Sequence, residues 1–210
     1  MKTYFKPWIG PNYDKATRKI LVIGDSHYCQ ENDCKKCGVR GDCTTEEMKE
    51  CQNFTIGVVT GYMDFRAGKG EEANWMKTTF LRFDKIWYGK QDVSAEESLD
   101  FWNSVAFYNF LQTAIADNTS NSSYTSKDYA KSAPMAAEVI NELRPDVIIV
   151  WGNKAFNALS DEGWSGTDDG RGYYTLPDGH IAHCIKLNHP TRAGQDEWHE
   201  ILSEFMKSTK

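Results

Sequence analysis

Two continuous apolar runs constrain the fold more than any other feature of this chain. They are Lys19-Ile20-Leu21-Val22-Ile23 and Asp146-Val147-Ile148-Ile149-Val150-Trp151, and neither shows the polar alternation of a strand with one wet face. A strand covered on both faces loses that alternation. Both runs therefore predict buried strands with helices on either side. Each stops abruptly in polar residues, Gly24-Asp25-Ser26-His27-Tyr28 after the first and Gly152-Asn153 after the second. Two more strands fit the same description. Val105-Ala106-Phe107-Tyr108 runs into Asn109-Phe110, and His180 to Leu187 runs into Asn188-His189-Pro190. The latter follows a Pro177-Asp178-Gly179 turn, which predicts a hairpin with Gly172–Leu176.

Helical patterns lie between the strands. Asn74–Trp87 places Trp75, Thr79, Phe83, Ile86 and Trp87 at helical spacing and stops at Gly89. Ser132 is read as the cap of a helix burying Ala136, Ala137, Ile140 and Leu143 before Pro145. Asn153 to Leu159 is a short helix with Asn153 as its cap, and Asp196 to Met206 carries Trp198, Ile201, Leu202 and Phe205 on one face. Strands alternating with helices predict a three-layer α/β/α sandwich with a mostly parallel central sheet of about four or five strands. All 210 residues are read as one domain with a Cys-rich insertion at about 29–51, and Asn118–Ser126 as an exposed connection.

Composition narrows the function. Apolar residues make up 40% of the chain and aromatic ones 13%, enough for a substantial core and too many for a disordered segment. No apolar run reaches the ~20 residues that cross a bilayer. Met1 to Pro7 has no secretory apolar stretch, so the expected address is the cytoplasm and the expected state a monomer away from membranes. Lys and Arg total 24 against 30 Asp and Glu, a net charge of −6. Nucleic-acid binding would then rest on a local patch rather than on a basic surface.

In open α/β sheets, ligands bind beyond the carboxyl ends of the strands. That edge collects Asp25, Ser26, His27, Asn109, Gly152, Asn153, His189 and Arg192. An amide at Asn109 offers both a donor and an acceptor to a flat heterocycle. Pro190 fixes the backbone after His189 and so gives that imidazole a defined direction, where it can donate to a developing anion. His180, His183 and His199 are read as structural.

The cysteines form a second group. Cys29, Cys34, Cys37, Cys43 and Cys51 lie within one polar stretch that includes a Cys-x2-Cys knuckle, a pattern suited to tetrahedral thiolate ligation. Zinc in a structural role is the first expectation and an iron–sulfur cluster the second, with no metal needed for the chemistry. Cys184 lies in a strand and is read as a small buried hydrophobe.

Taken together, these clusters resemble the uracil-DNA glycosylase superfamily. The resemblance is carried by Gly24-Asp25-Ser26-His27-Tyr28, Cys51-Gln52-Asn53-Phe54-Thr55, Val105–Asn109, Arg144–Gly152 with Ala155 and Leu159, and Asn188-His189-Pro190-Thr191. It implies that Phe54 stacks on an extruded base, beside Tyr28, and that Asn109 reads the pyrimidine edge. It implies also that His189 stabilises charge on the departing base, that Asp25 or Ser26 activates water, and that Arg192 meets DNA. The partner so implied is DNA or a nucleotide-like small molecule.

Two alternatives fit some of the same residues. Gly24-Asp25-Ser26 also resembles the nucleophile block of GDS-type esterases, with His199 as base, Asp196 as its orienter and Asn153 as oxyanion donor. A non-catalytic nucleotide- or partner-binding module on the same fold is the other.

Overall fold

A computed structural model describes residues 3–28, 51–112, 114–115, 124–159, 162–167 and 169–209. Nine strands lie among these residues. Seven form one sheet and two form a small separate ladder.

The four strands read from the sequence are its centre: β2 (Ile20–Gly24), β4 (Ala106–Asn109), β6 (Val147–Trp151) and β9 (Ile181–Leu187). They are mutually parallel, with β4 beside β2, β2 beside β6 and β6 beside β9. Antiparallel strands close both flanks. β1 (Trp8–Ile9) pairs with β4, while β8 (Arg171–Thr175) pairs with β9 and β7 (Trp164–Gly166) with β8. The β8–β9 pair is the hairpin foreseen from Pro177-Asp178-Gly179. The sheet is thus mixed and seven-stranded, rather than mostly parallel with four or five strands. The miss has a physical reason: β1 is two residues long and β7 three, too short to show periodicity. The separate ladder pairs β3 (His27–Tyr28) with β5 (Ala114–Ile115).

Six α-helices accompany the strands among the described residues: α1 (Phe54–Arg66), α2 (Arg82–Tyr88), α3 (Ala95–Ser104), α4 (Ser126–Leu143), α5 (Asn153–Asn157) and α6 (Gln195–Ser208). A π-helical turn, Met76–Leu81, leads directly into α2, and Gly89 ends α2 in the left-handed region at φ 64°. Every residue of β2 and β6 is buried, as the continuous apolar runs require. Ile20 and Val22 face a cluster with Val59, Phe80, Phe83, Trp102, Leu202 and Phe205. Leu21 and Ile23 face the opposite cluster, with Val139, Ile140 and Leu143. The period-2 geometry of one strand therefore feeds two cores.

Two cap expectations are corrected. Ser132 sits inside α4, where its Oγ donates to the Asp128 carbonyl (3.0 Å) and accepts from Gln112 N (3.1 Å). The helix begins at Ser126, where the Asp128 carboxylate accepts from Thr125 N and Oγ1. Pro134 lies inside the helix. Asn153 is the first residue of α5 and Gly152, at φ 105°, is its cap.

Arg18 ties the segment before β2 to the end of α6. Its Nη1 donates to the Met206 carbonyl and its Nη2 to the Thr209 carbonyl, both at 2.7 Å. These are two of the carbonyls a helix C-terminus leaves unpaired. Arg18→Ala is expected to cost about 1–2 kcal/mol of unfolding free energy. Urea denaturation checks this, and a loss below a few tenths would remove the latch from the account of stability. Among the described residues, no helix is long and apolar enough to cross a membrane.

Candidate functional site

The carboxyl edge of the parallel strands gathers the polar residues. β2 and β4 pair in the register Gly24↔Asn109, so Asn109 stands beside the turn that begins at Asp25. A side chain at Gly24 would collide with Asn109 Oδ1 and the Phe107 ring. Glycine is therefore dictated by the close approach of the amide, and not by φ. Asn109 is 6% exposed, and its side-chain amide makes no hydrogen bond to the described residues. Its backbone carbonyl accepts from Gln112 Nε2 at 3.0 Å, which fixes the strand end.

Asp25 is half-buried, and its Oδ1 accepts a hydrogen bond from Tyr129 Oη of α4 at 2.7 Å. Burial raises its carboxyl above the usual range, opposed by the Tyr129 bond and by the charge of Lys154 on α5. Ser26 is half-buried next to it. Tyr28 ends β3.

His27 turns the other way, into the core, at 1% exposure. Its Nε2 lies 2.7 Å from Thr55 Oγ1, and its ring packs against Phe5 at 4.2 Å and edge-on to Phe54 at 5.1 Å. Burial pulls its imidazole down to about 3, the Leu111 backbone opposing the shift, so it is neutral throughout the physiological range. Phe54, at the start of α1, is thus held beside the Gly24–Tyr28 turn by aromatic packing with His27 and Phe5.

His189 follows β9 and caps a short 3-10 turn, Pro190–Arg192. Its Nδ1 lies 2.9 Å from Thr191 Oγ1 and accepts from Thr191 N at 3.4 Å. A backbone N–H can only donate, so the ring proton of the neutral form belongs to Nε2. The Trp151 ring meets the imidazole edge-on at 6.1 Å. Burial, then the charge of Arg192, lowers the His189 imidazole to about 4. The result is a neutral donor whose orientation is fixed from Nδ1. Arg192 itself is exposed.

The strand order sets the scale of the site. β4 adjoins β2, whereas β9 lies two strands from β2 and three from β4. At ~4.8 Å per strand, His189 leaves the sheet roughly 10 Å from Asp25 and roughly 14 Å from Asn109. The side chains must reach inward across that span to meet on one ring.

Other expectations fare differently. Cys29, Cys34, Cys37 and Cys43 lie outside the described residues. Cys51 packs in a small apolar cluster with Tyr4, Phe5 and Phe54. Among the described residues, no group of three or more His, Cys, Asp or Glu is gathered to hold a metal. Cys184 is buried, as expected. The esterase triad is not assembled. His199 Nδ1 lies 2.9 Å from the Ile86 carbonyl, and its ring fills the space beside Gly89, so the nitrogen a triad aspartate would orient is already engaged. Tyr129 and Lys154 were missed, because nothing local marks Tyr129, 104 residues from Asp25 in sequence, as its partner.

No family model matches the chain, and no curated protein does. One similar solved structure is a domain of unknown function (DUF1537) from Bordetella bronchiseptica, crystallised with bound citrate as a domain-swapped dimer. It shares 10% identity at a TM-score of 0.31, over 90% of this chain and 40% of that one. This chain thus spans less than half of that protein, and a likeness this distant carries no argument. The resemblance to the uracil-DNA glycosylase superfamily is corrected accordingly: no family model matches the chain, so none supports it. Short polar clusters at strand ends, such as Gly-Asp-Ser or His-Pro, serve many unrelated α/β sites.

Proposed function

We propose that the carboxyl edge of the sheet binds a nucleobase and hydrolyses its N-glycosidic bond, with uracil or a modified pyrimidine in DNA as substrate. The observation that carries this is Asn109: a nearly buried amide at a strand end, unpaired by the described residues and packed over a glycine. An amide so placed recovers its desolvation cost when a ring N–H and carbonyl pair with it. The finer reading of the fold as a three-layer α/β/α sandwich is supported by the two apolar clusters on opposite sheet faces.

In this chemistry the base lies against Phe54 with its edge on Asn109. Water attacks the anomeric carbon while the carbon–nitrogen bond breaks, and the bonding electrons pass into the ring and its carbonyl oxygen. Nε2–H of His189 donates to that growing charge. The proton lost by water passes to the carboxylate of Asp25, with Ser26 adjoining. The base leaves as its anion and takes a proton from solvent, Asp25 returns its proton to solvent, and the products are the free base and a sugar bearing a hydroxyl at the anomeric carbon. Extrusion from DNA costs a few kcal/mol, which stacking and edge hydrogen bonds offset. Arg192, exposed beside His189, is assigned to a backbone phosphate.

The test is release of free base from single- and double-stranded oligonucleotides carrying one uracil. Asn109→Leu, which keeps the volume and removes the amide, is expected to slow single-turnover release about tenfold or more. Nucleotide binding without any release of base would instead make the chain a binding module.

A further inference from the structure

We propose that Tyr129 is a positioning residue for Asp25: from α4, its hydroxyl holds one carboxylate oxygen and leaves the other turned to the substrate. The inference rests on the hydrolytic reading above and adds to it a residue from an element that otherwise takes no part in the site.

The geometry carries it. Tyr129 Oη donates to Asp25 Oδ1 at 2.7 Å, and no hydrogen bond from the described residues reaches Oδ2. The tyrosine is itself held in place. It is 5% exposed, and its ring stacks on Phe110 at 5.8 Å and 29°. Phe110 follows Asn109 directly, and Leu111 N donates to the Asp25 carbonyl at 2.9 Å. The base-reading amide and the carboxylate thus share one support, the segment Asn109–Leu111 against α4. A half-buried carboxylate with a single fixed donor keeps a defined direction, and a hydrogen bond donated to the charged form favours ionisation. The groups acting electrostatically on Asp25 are Tyr129 from α4 and Lys154 from α5. Removing the hydroxyl leaves burial opposed by Lys154 alone.

Tyr129→Phe keeps the ring and its stacking and deletes only the donor. Two measurements on the full-length protein decide the matter. The first is the titration of the Asp25 carboxyl carbon, followed by NMR without substrate in wild type and Tyr129→Phe. Its midpoint is expected to rise by about one pH unit, a tenfold change in the ionisation constant. The second is the pH profile of base release from a uracil oligonucleotide, whose acid limb should move upward by the same amount with KM little changed. An Asp25 midpoint unmoved by Tyr129→Phe overturns the inference. A moved midpoint with no base release in either protein upholds the Tyr129–Asp25 coupling and sinks the hydrolytic reading instead.

Discussion

Asp84→Ala is expected to lower the free energy of unfolding by about 3–5 kcal/mol. Asp84 is fully buried in α2. Its Oδ2 accepts from Tyr62 Oη of α1 at 2.5 Å, and its Oδ1 from Trp102 Nε1 of α3 at 2.9 Å. One carboxyl thus joins three helices on the same side of the sheet. Alanine strands two buried donors, each costing about 1–3 kcal/mol, and leaves a cavity between large aromatic rings. For a domain whose whole stability is about 5–15 kcal/mol, that is a large share. Asp84→Asn should cost less, since it keeps one acceptor and the volume. Guanidinium denaturation of the three proteins provides the measurement. A loss under 1 kcal/mol for alanine would show that the helices are held by apolar packing alone.

The same carboxyl gives the stability a pH dependence of known sign. Burial raises Asp84 above the ordinary carboxylate range, opposed by its hydrogen bonds and by the charge of Arg66. A group whose folded value exceeds its unfolded value contributes fully below the unfolded value, and that contribution fades as pH climbs through the folded one. Unfolding free energy should therefore fall with rising pH just above the usual carboxylate range, and Asp84→Asn should flatten that slope.

What could be read from the sequence follows from how each element is stabilised. β2 and β6 were legible because burial on both faces forces an unbroken apolar run. The β8–β9 hairpin was legible through its turn residues. α1 was not, since Phe54-Thr55-Ile56-Gly57-Val58-Val59-Thr60-Gly61 is rich in β-branched residues and glycine, and its helicity comes from packing Val59 and Tyr62 into the core. The start of α4 was misread because Ser132 belongs to a favoured cap type, whereas the capping pair lies at Thr125 and Asp128. In the site, Asp25, Asn109 and His189 could be placed on one edge because strand ends share a direction in a parallel sheet. Tyr129 could not, since its bond to Asp25 depends on how α4 lies against the segment after β4. The family resemblance misled for a related reason: motifs of three to five residues report a strand end, and many folds have polar strand ends.

His189→Ala is expected to reduce base release by about 10²–10³-fold, through loss of a single preorganised donor worth roughly 3 kcal/mol in the transition state. The direction of the effect follows from the tautomer. Thr191 N donates to Nδ1, which keeps the proton of the neutral ring on Nε2. Burial and Arg192 together hold the imidazole near 4, so between pH 5 and 8 it neither gains nor loses charge. A cationic imidazole would stabilise the anion more strongly, but keeping it would cost the fold the desolvation of a buried charge beside Arg192. A neutral donor avoids that cost and leaves the acid limb of the rate profile to Asp25. Two results therefore belong together: a large loss in His189→Ala with partial recovery in His189→Gln, whose amide can donate, and a wild-type profile with no inflection near 6.5. Single-turnover release from a uracil oligonucleotide between pH 5 and 8 measures both. An inflection near 6.5 that disappears in His189→Ala would mean that the imidazole titrates during turnover as an acid or base. A His189→Ala rate within threefold of wild type would take the departing base away from β9 altogether and place it at the carboxyl ends of the paired strands β2 and β4.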